Sequence, residues 1–163
     1  MLNVYLVSGE WCVVGPAASP APASDRQPPR TTHHAFYFLD LPGYGYAKAS
    51  KTDRTAFLRL VTDALTRPRL SGVLWLLDIR RDPSAADRVM HEQFAERQTR
   101  VLAALTKSDK VSGPERVRRE RELRDALELD EDQLIATSAL EGTGMGELRE
   151  AVWELAGSPP SRG

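Results

Sequence analysis

The run Gly72-Val73-Leu74-Trp75-Leu76-Leu77-Asp78-Ile79 is apolar almost throughout and does not alternate with polar residues. A strand with one face in water alternates. A strand that reads as a continuous apolar block is buried on both faces, which is the condition of parallel sheets covered by helices. Parallel neighbours in turn need crossover connections, usually helical. The rest of the chain supplies them. Phe57, Leu58, Val61, Ala64 and Leu65 recur at helical spacing, and Pro68 follows. Asp82-Pro83-Ser84 opens a second helix, with Val89, Met90 and Phe94 predicted to point inward. Val101 to Leu105 is the next strand. Ser112-Gly113-Pro114-Glu115 starts a charged helix running to about Leu127, in the pattern of a capping box with an early proline. Gln133 to Ala136 is a strand, and Thr143 opens a last helix with Leu148, Val152 and Leu155 on one face. This rhythm predicts an α/β domain: a mostly parallel sheet with flanking helices and right-handed crossovers.

Three of the predicted strands end in residues that can carry chemistry. The first, Ala35-Phe36-Tyr37-Phe38-Leu39, runs into Asp40-Leu41-Pro42-Gly43-Tyr44-Gly45-Tyr46-Ala47-Lys48. The carboxyl ends of strands are where α/β sheets place ligands. A carboxylate at Asp40 can hold a magnesium-bound water. Gly43, without a side chain, lets its amide approach the terminal phosphate of a nucleotide. Alone, Asp-x-x-Gly usually marks a tight turn. After the Val101–Leu105 strand comes Thr106-Lys107-Ser108-Asp109. An Asp there can accept from the two donors of guanine, N1 and N2. Adenine lacks that pair and would leave an acceptor unpaired. The Lys stem can lie along a purine face. Taken alone, this tetrapeptide is explained equally well by a polar loop ending a strand. Thr137-Ser138-Ala139 follows the last strand, and its small side chains let backbone amides reach a guanine O6. In order, each after its own strand, the three form a constellation.

On these residues the chain resembles the EngB (YihA/YsxC) ribosome-biogenesis GTPases, of the TrmE-Era-EngA-EngB-septin-like group. The Asp40–Lys48 run, above all Gly43-Tyr44-Gly45-Tyr46, is similar to that family's third GTPase motif, and Gly72–Arg80 to its next strand. Thr106–Asp109 matches the guanine-specificity motif, with Ser108 where Ala is common, and Thr137–Ala139 matches the last motif. The resemblance covers about residues 35 to 156. It implies a Ras-like P-loop GTPase fold that binds GTP/GDP with Mg2+. The implied nucleotide-binding residues are Asp40, Leu41, Pro42 and Gly43 at the phosphates, with Asp40 on magnesium through water. Thr106, Lys107, Ser108 and Asp109 would hold the base, and Thr137, Ser138 and Ala139 would close over it. The implied partner of a monomeric protein is the large ribosomal subunit or its RNA, and the implied role is subunit assembly and thereby cell division and septation. Tyr44 stands where many GTPases carry a water-orienting Gln. A phenol does not activate that water in the same way, so hydrolysis would need another element or a partner. No catalytic residue is assigned.

The chain departs from the family in its first part. No Gly-x-x-x-x-Gly-Lys-Ser/Thr occurs in the 163 residues; Gly9 and Gly15 are wrongly spaced and no Lys follows Gly15. Leu2-Asn3-Val4-Tyr5-Leu6-Val7 is similar to the family's second strand. The expectation is therefore a chain lacking the amino-terminal strand, phosphate loop and first helix: a miscalled start, a gene fragment or a divergent paralogue. Little or no hydrolysis is then expected. The alternative function is a non-hydrolysing remnant, either a ribosome-interaction module or an inactive fragment. The missing strand would be the central one, between the Asp40 and Gly72 strands. Unpaired apolar edges aggregate, and a domain's stability is only ~5–15 kcal/mol, so the isolated chain is expected to be poorly soluble or molten.

Length and composition set the remaining bounds. A chain of 163 residues fits one domain. Residues 1–14 read as a strand or hairpin of that domain, turned at Ser8-Gly9-Glu10. Residues 15–34 form a Pro/Ala-rich insertion expected to be disordered. Residues 35–157 are the core and 158–163 a tail. Net charge is −1, so any RNA contact must be local. The single Cys12 excludes an internal disulfide, and no apolar run approaches the ~18 residues that span a bilayer, so no membrane association and a cytoplasmic location are expected. His33 and His34 read as a loop pair rather than a metal site. The helix bearing Arg116, Arg118, Arg119, Arg121 and Arg124 also carries Glu115, Glu120, Glu122 and Asp125. Such mixed signs favour a salt-bridged face over an RNA contact. Lys48, Lys51 and Arg54 beside Tyr44 and Tyr46 suit RNA better, with an exposed mobile loop as the equal alternative. Trp75 and Trp153 are predicted core residues.

Overall fold

Ser84 caps helix α2 (Ala85–Glu96): its hydroxyl accepts from the Asp87 amide at 3.2 Å, and the Asp87 carboxylate accepts from the Ser84 amide at 2.7 Å. This is the reciprocal box that satisfies the orphan donors of a first turn. Ser112 caps α3 (Gly113–Ala126) by accepting from the Glu115 amide at 3.4 Å, with Pro114 in the first turn. Glu115 does not close that box; it pairs with Arg118 instead. The computed structural model describes residues 3–12, 31–41 and 51–157, with side chains over 36–41 and 55–157. The described strands fall into two sheets, which belong to two compact units, residues 1–42 and 43–163.

In the first unit, β1 (Asn3–Cys12) runs antiparallel to β2 (Thr31–Asp40), in register from Asn3 opposite Asp40 to Cys12 opposite Thr31. This corrects two expectations. No hairpin forms at Ser8-Gly9-Glu10; that stretch stays extended opposite Ala35, His34 and His33. The two histidines are therefore strand residues, not a loop pair, and β2 starts inside the stretch assigned to the insertion. The reason is cooperative. A ten-residue ladder outweighs the local turn preference of one glycine, because strand formation depends on its partner more than on intrinsic propensity. Residues 13–30 and the tail, 158–163, lie outside the described residues. Phe36 and Phe38, two apart and so on one face, meet edge to face at 5.2 Å.

In the second unit, β3 (Val73–Asp78), β4 (Val101–Thr106) and β5 (Leu134–Ala136) form a parallel sheet in that order. The central β4 is buried from Val101 to Leu105, as its unbroken apolar sequence requires. The edge strand β3 is not. Trp75, Leu77 and Ile79 are buried, but Leu76 on the opposite face is 62% exposed. Here the expectation of two buried faces fails among the described residues, since Leu76 is exposed. Trp75 meets Phe94 of α2 edge to face at 5.4 Å. The first helix, α1 (Lys51–Leu65), buries Val61 and Ala64. Met90 and Phe94 of α2 are buried, whereas Val89, predicted inward, is exposed. The face of α3 packs on β5, and α4 (Met145–Gly157) on β4. Leu148, Val152 and Leu155 of α4 are half-buried, and so is Trp153, predicted to be core. Arg100 and Ser71 donate to the Leu155 and Ala156 carbonyls and tie the end of α4 to the sheet's amino-terminal edge. No helix among the described residues is long and apolar enough to cross a membrane.

Candidate functional site

The carboxyl ends of β3, β4 and β5 lie side by side, with Asp78 opposite Thr106 and Leu105 opposite Ala136. The polar residues that follow them converge for that reason. Beyond β4 the backbone turns at Lys107, which adopts a left-handed conformation (φ 64°, ψ 35°), into a short 3-10 turn over Ser108–Lys110. The turn is stitched to its neighbours through the backbone. The Ser108 amide donates to the Thr137 carbonyl at 3.0 Å, and the Thr137 amide to the Leu105 carbonyl at 2.7 Å. Ser108, Thr137 and Ser138 are buried polar residues and all have partners.

This stitching places Asp109 against Ser138. The Ser138 hydroxyl donates to Asp109 Oδ1 at 2.7 Å and accepts from the Glu141 amide at 3.1 Å. Lys110 Nζ stands 3.0 Å from Asp109 Oδ2, a buried oxygen, and forms an ion pair with it. The Asp109 side chain is only 6% exposed. The Ser138 hydroxyl first, and Lys110 after it, hold its carboxyl below the usual value, so it is ionised at neutral pH. A carboxylate has about four acceptor sites, and the Ser138 hydroxyl and Lys110 ammonium take two of those of Asp109. The N1 and N2 donors of guanine suit such an acceptor.

The loop after β5 is tightly bonded. The Ser138 amide donates to the Thr143 carbonyl at 3.0 Å, and the Gly142 amide to the Ser138 carbonyl at 2.8 Å. The amides of Thr137 and Ser138 are thus committed internally. Among the three residues predicted to offer amides to a base, Ala139 is the one whose amide is not so used, and it is exposed. Gly142 and Gly144 take positive φ values of 76° and 69° to close the loop.

Lys107 reaches the other way. Its Nζ lies 2.9 Å from Asp78 Oδ2, and Arg80 forks onto the same carboxylate at 2.8 and 2.6 Å. The Arg80 hydrogen bonds chiefly, with Lys107 second, hold the Asp78 carboxyl well below the ordinary carboxylate range. Arg119 of α3 donates to the Ile79 and Arg81 carbonyls at 2.9 and 2.7 Å and to Asp82 at 2.8 Å, and so secures the loop after β3. Asp78, Arg80 and Arg119 are absent from the candidate residues read from the sequence. Asp78 carried a signal, a lone charge interrupting an apolar run at a strand's carboxyl end. Two other arginines of α3 face acidic neighbours: Arg116 with Glu120, and Arg118 with Glu115 and Glu122.

The structure thus brings together Thr106, Lys107, Ser108, Asp109, Thr137, Ser138 and Ala139. Asp40 is the last residue of β2, is exposed, and is followed by half-buried Leu41, both within the first unit. Pro42, Gly43, Tyr44, Tyr46 and Lys48 lie outside the described residues, as do the side chains of Lys51 and Arg54. Among the described residues no group of three or more His, Cys, Asp or Glu converges on a metal position.

No family model matches the chain. Curated relatives do. The chain is 40% identical over 131 residues to the probable GTP-binding protein EngB of Gemmatimonas aurantiaca, covering 80% of this chain and 64% of that one. It is 38% identical over 155 residues to the probable GTP-binding protein EngB of Syntrophomonas wolfei, covering 94% of this chain and 67% of that protein. The chain therefore spans about two thirds of the length of these relatives, a little less for the first. Among solved structures, a probable GTP-binding protein engB superposes with a TM-score of 0.64 at 15% identity, over 74% of this chain and 76% of that one. The FeoB G-domain from Methanococcus jannaschii superposes with a TM-score of 0.51 at 19% identity, over 76% of this chain and 74% of that domain. The two superpositions speak to fold, which is the Ras-like P-loop GTPase α/β fold, and the sequence identities speak to kinship: the chain belongs to the EngB family of GTP-binding proteins.

Proposed function

We propose that this chain binds guanine nucleotides in the manner of EngB proteins, in the service of large-ribosomal-subunit assembly and, through it, normal cell division. One observation carries the reading: the Asp109 carboxylate, ionised and largely shielded, stands beyond the end of β4 with Oδ1 fixed by the Ser138 hydroxyl and Oδ2 ion-paired with Lys110. A purine with two adjacent donors completes it, and Ala139 supplies the amide for O6. Lys107 lies along the base face. Asp40 holds magnesium through water and Gly43 meets the γ-phosphate, with the large ribosomal subunit or its RNA as partner. The test is competition by GTP and ATP against a labelled guanine nucleotide. Guanine is preferred by the unmodified chain, and Asp109→Asn relaxes or inverts the preference. Equal competition on the unmodified chain overturns the reading.

A second reading is favoured by the absence of a Gly-x-x-x-x-Gly-Lys-Ser/Thr in the 163 residues. That loop supplies a Lys and several amides to the β- and γ-phosphates. Hydrogen bonds to charged groups contribute ~1.5–3 kcal/mol each, so three lost bonds remove at least ~4.5 kcal/mol, or about three decades of affinity. On this reading these 163 residues by themselves do not hydrolyse GTP and bind it no tighter than about millimolar. Magnesium-dependent GTP hydrolysis by the purified chain at rates typical of an intact GTPase overturns it.

A further inference from the structure

We propose that Asp78 is a positioning residue for nucleotide binding, acting through Lys107; the inference rests on the guanine-nucleotide reading above. A carboxylate has about four acceptor sites, and those of Asp78 are all taken. Oδ1 accepts from the Arg80 amide at 3.1 Å and Arg80 Nε at 2.8 Å; Oδ2 accepts from Arg80 Nη2 at 2.6 Å and Lys107 Nζ at 2.9 Å. With its side chain 14% exposed and its acceptor sites filled, Asp78 has nothing left with which to bind a metal or accept a substrate proton. What it does is hold two cations, one of them from the turn that follows β4.

The backbone at Lys107 points the same way. A left-handed residue with a side chain costs about 1–2 kcal/mol and persists where its surroundings over-determine it. The Asp78 contact is such a determinant. It holds the Lys107 ammonium at the carboxyl end of β3, while Asp109, two residues on, faces Ser138. A lysine on a flexible four-carbon stem loses rotamer freedom when it lies against a base. Asp78 fixes that stem before the nucleotide arrives. Arg80, held by the same carboxylate and carried on the loop that Arg119 clamps, keeps Asp78 itself in place.

The test is a double-mutant cycle on the full chain, with GDP and ADP affinities read by ligand-observed NMR. The variants are Asp78→Asn, Lys107→Met and the two together. Asp78→Asn should weaken GDP about fivefold and leave the GDP-to-ADP preference unchanged, because Asp109 is untouched. The double variant should be no weaker than Lys107→Met alone, since residues in one network are not additive. Additive losses, or unchanged GDP affinity in Asp78→Asn, overturn the proposal while leaving the guanine reading intact. Loss of guanine preference in the unmodified chain removes that reading and this inference with it. If Asp78→Asn does not fold, Asp78→Glu keeps the charge and closes the same cycle with Lys107→Met.

Discussion

Replacing Gly144 by alanine should cost far more than replacing Gly142, although both glycines sit in one loop at nearly the same positive φ. The conformational part of the cost is shared. A side chain in the left-handed region is disfavoured by about 1–2 kcal/mol, and φ is 76° at Gly142 and 69° at Gly144. The steric part is not. A Cβ at Gly142 meets nothing within 4 Å, whereas at Gly144 it overlaps the Ala136 carbonyl oxygen and crowds that carbonyl's carbon at 3.2 Å. Ala136 is a ladder residue opposite Leu105 and cannot rotate its carbonyl aside without breaking β5. Overpacking of this kind adds about 1–3 kcal/mol. The expected losses are therefore about 1–2 kcal/mol for Gly142→Ala and about 2–5 kcal/mol for Gly144→Ala. The displaced segment, Ala136 to Ser138, carries the hydroxyl that orients Asp109. Gly144→Ala should accordingly also weaken guanine-nucleotide binding, and Gly142→Ala should not. Urea unfolding followed by tryptophan fluorescence, with Trp75 as the buried reporter, measures the first effect; nucleotide titration of the folded protein measures the second. Equal losses at the two glycines would refute the argument.

Arg119→Met should destabilise the chain by about 2–4 kcal/mol, because two carbonyls lose a charged donor and the loop after β3 loses its clamp; urea midpoints check this. Leu76→Lys should raise the soluble yield with little change in the unfolding midpoint, since a charge on an exposed edge-strand position discourages edge pairing. Leu77→Lys, buried one residue on, should abolish folding. Asp78 is held below its unfolded value of 3.8, so its contribution to stability is complete above that pH and is lost as pH falls through the folded value. Acid unfolding from pH 5 downward should therefore be shallower in Asp78→Asn than in the unmodified chain. Parallel acid limbs in the two proteins would contradict that linkage.

Much of this site was legible locally. Ser84 and Ser112 sit where caps belong, and α2 and α3 start after them, because capping is a matter of three or four adjacent residues. Thr106–Asp109 and Thr137–Ala139 could be read as loop residues after strands because an apolar run and its polar terminus are contiguous. Where the reading failed, the deciding partner was distant in sequence. Ser8-Gly9-Glu10 looks like a turn until it is paired with 33–35. Val89 belongs to an apolar pattern, yet α2 turns Met90 and Phe94 to the core instead.

The sequence by itself determined the alternation of strand and helix, the order of the motifs and the family, since each depends on short-range pattern and on residue identity. Tertiary structure alone decided which charges meet. Arg119 reaches carbonyls about forty positions back, Lys107 finds Asp78 on the neighbouring strand, and Ser138 turns its hydroxyl to Asp109. It also decided that Leu76 stays in solvent while Leu77 is buried. Hydrogen bonds and burial depend on where parallel strands set their ends and on which faces find a neighbour, and neither is encoded in any one segment of the chain.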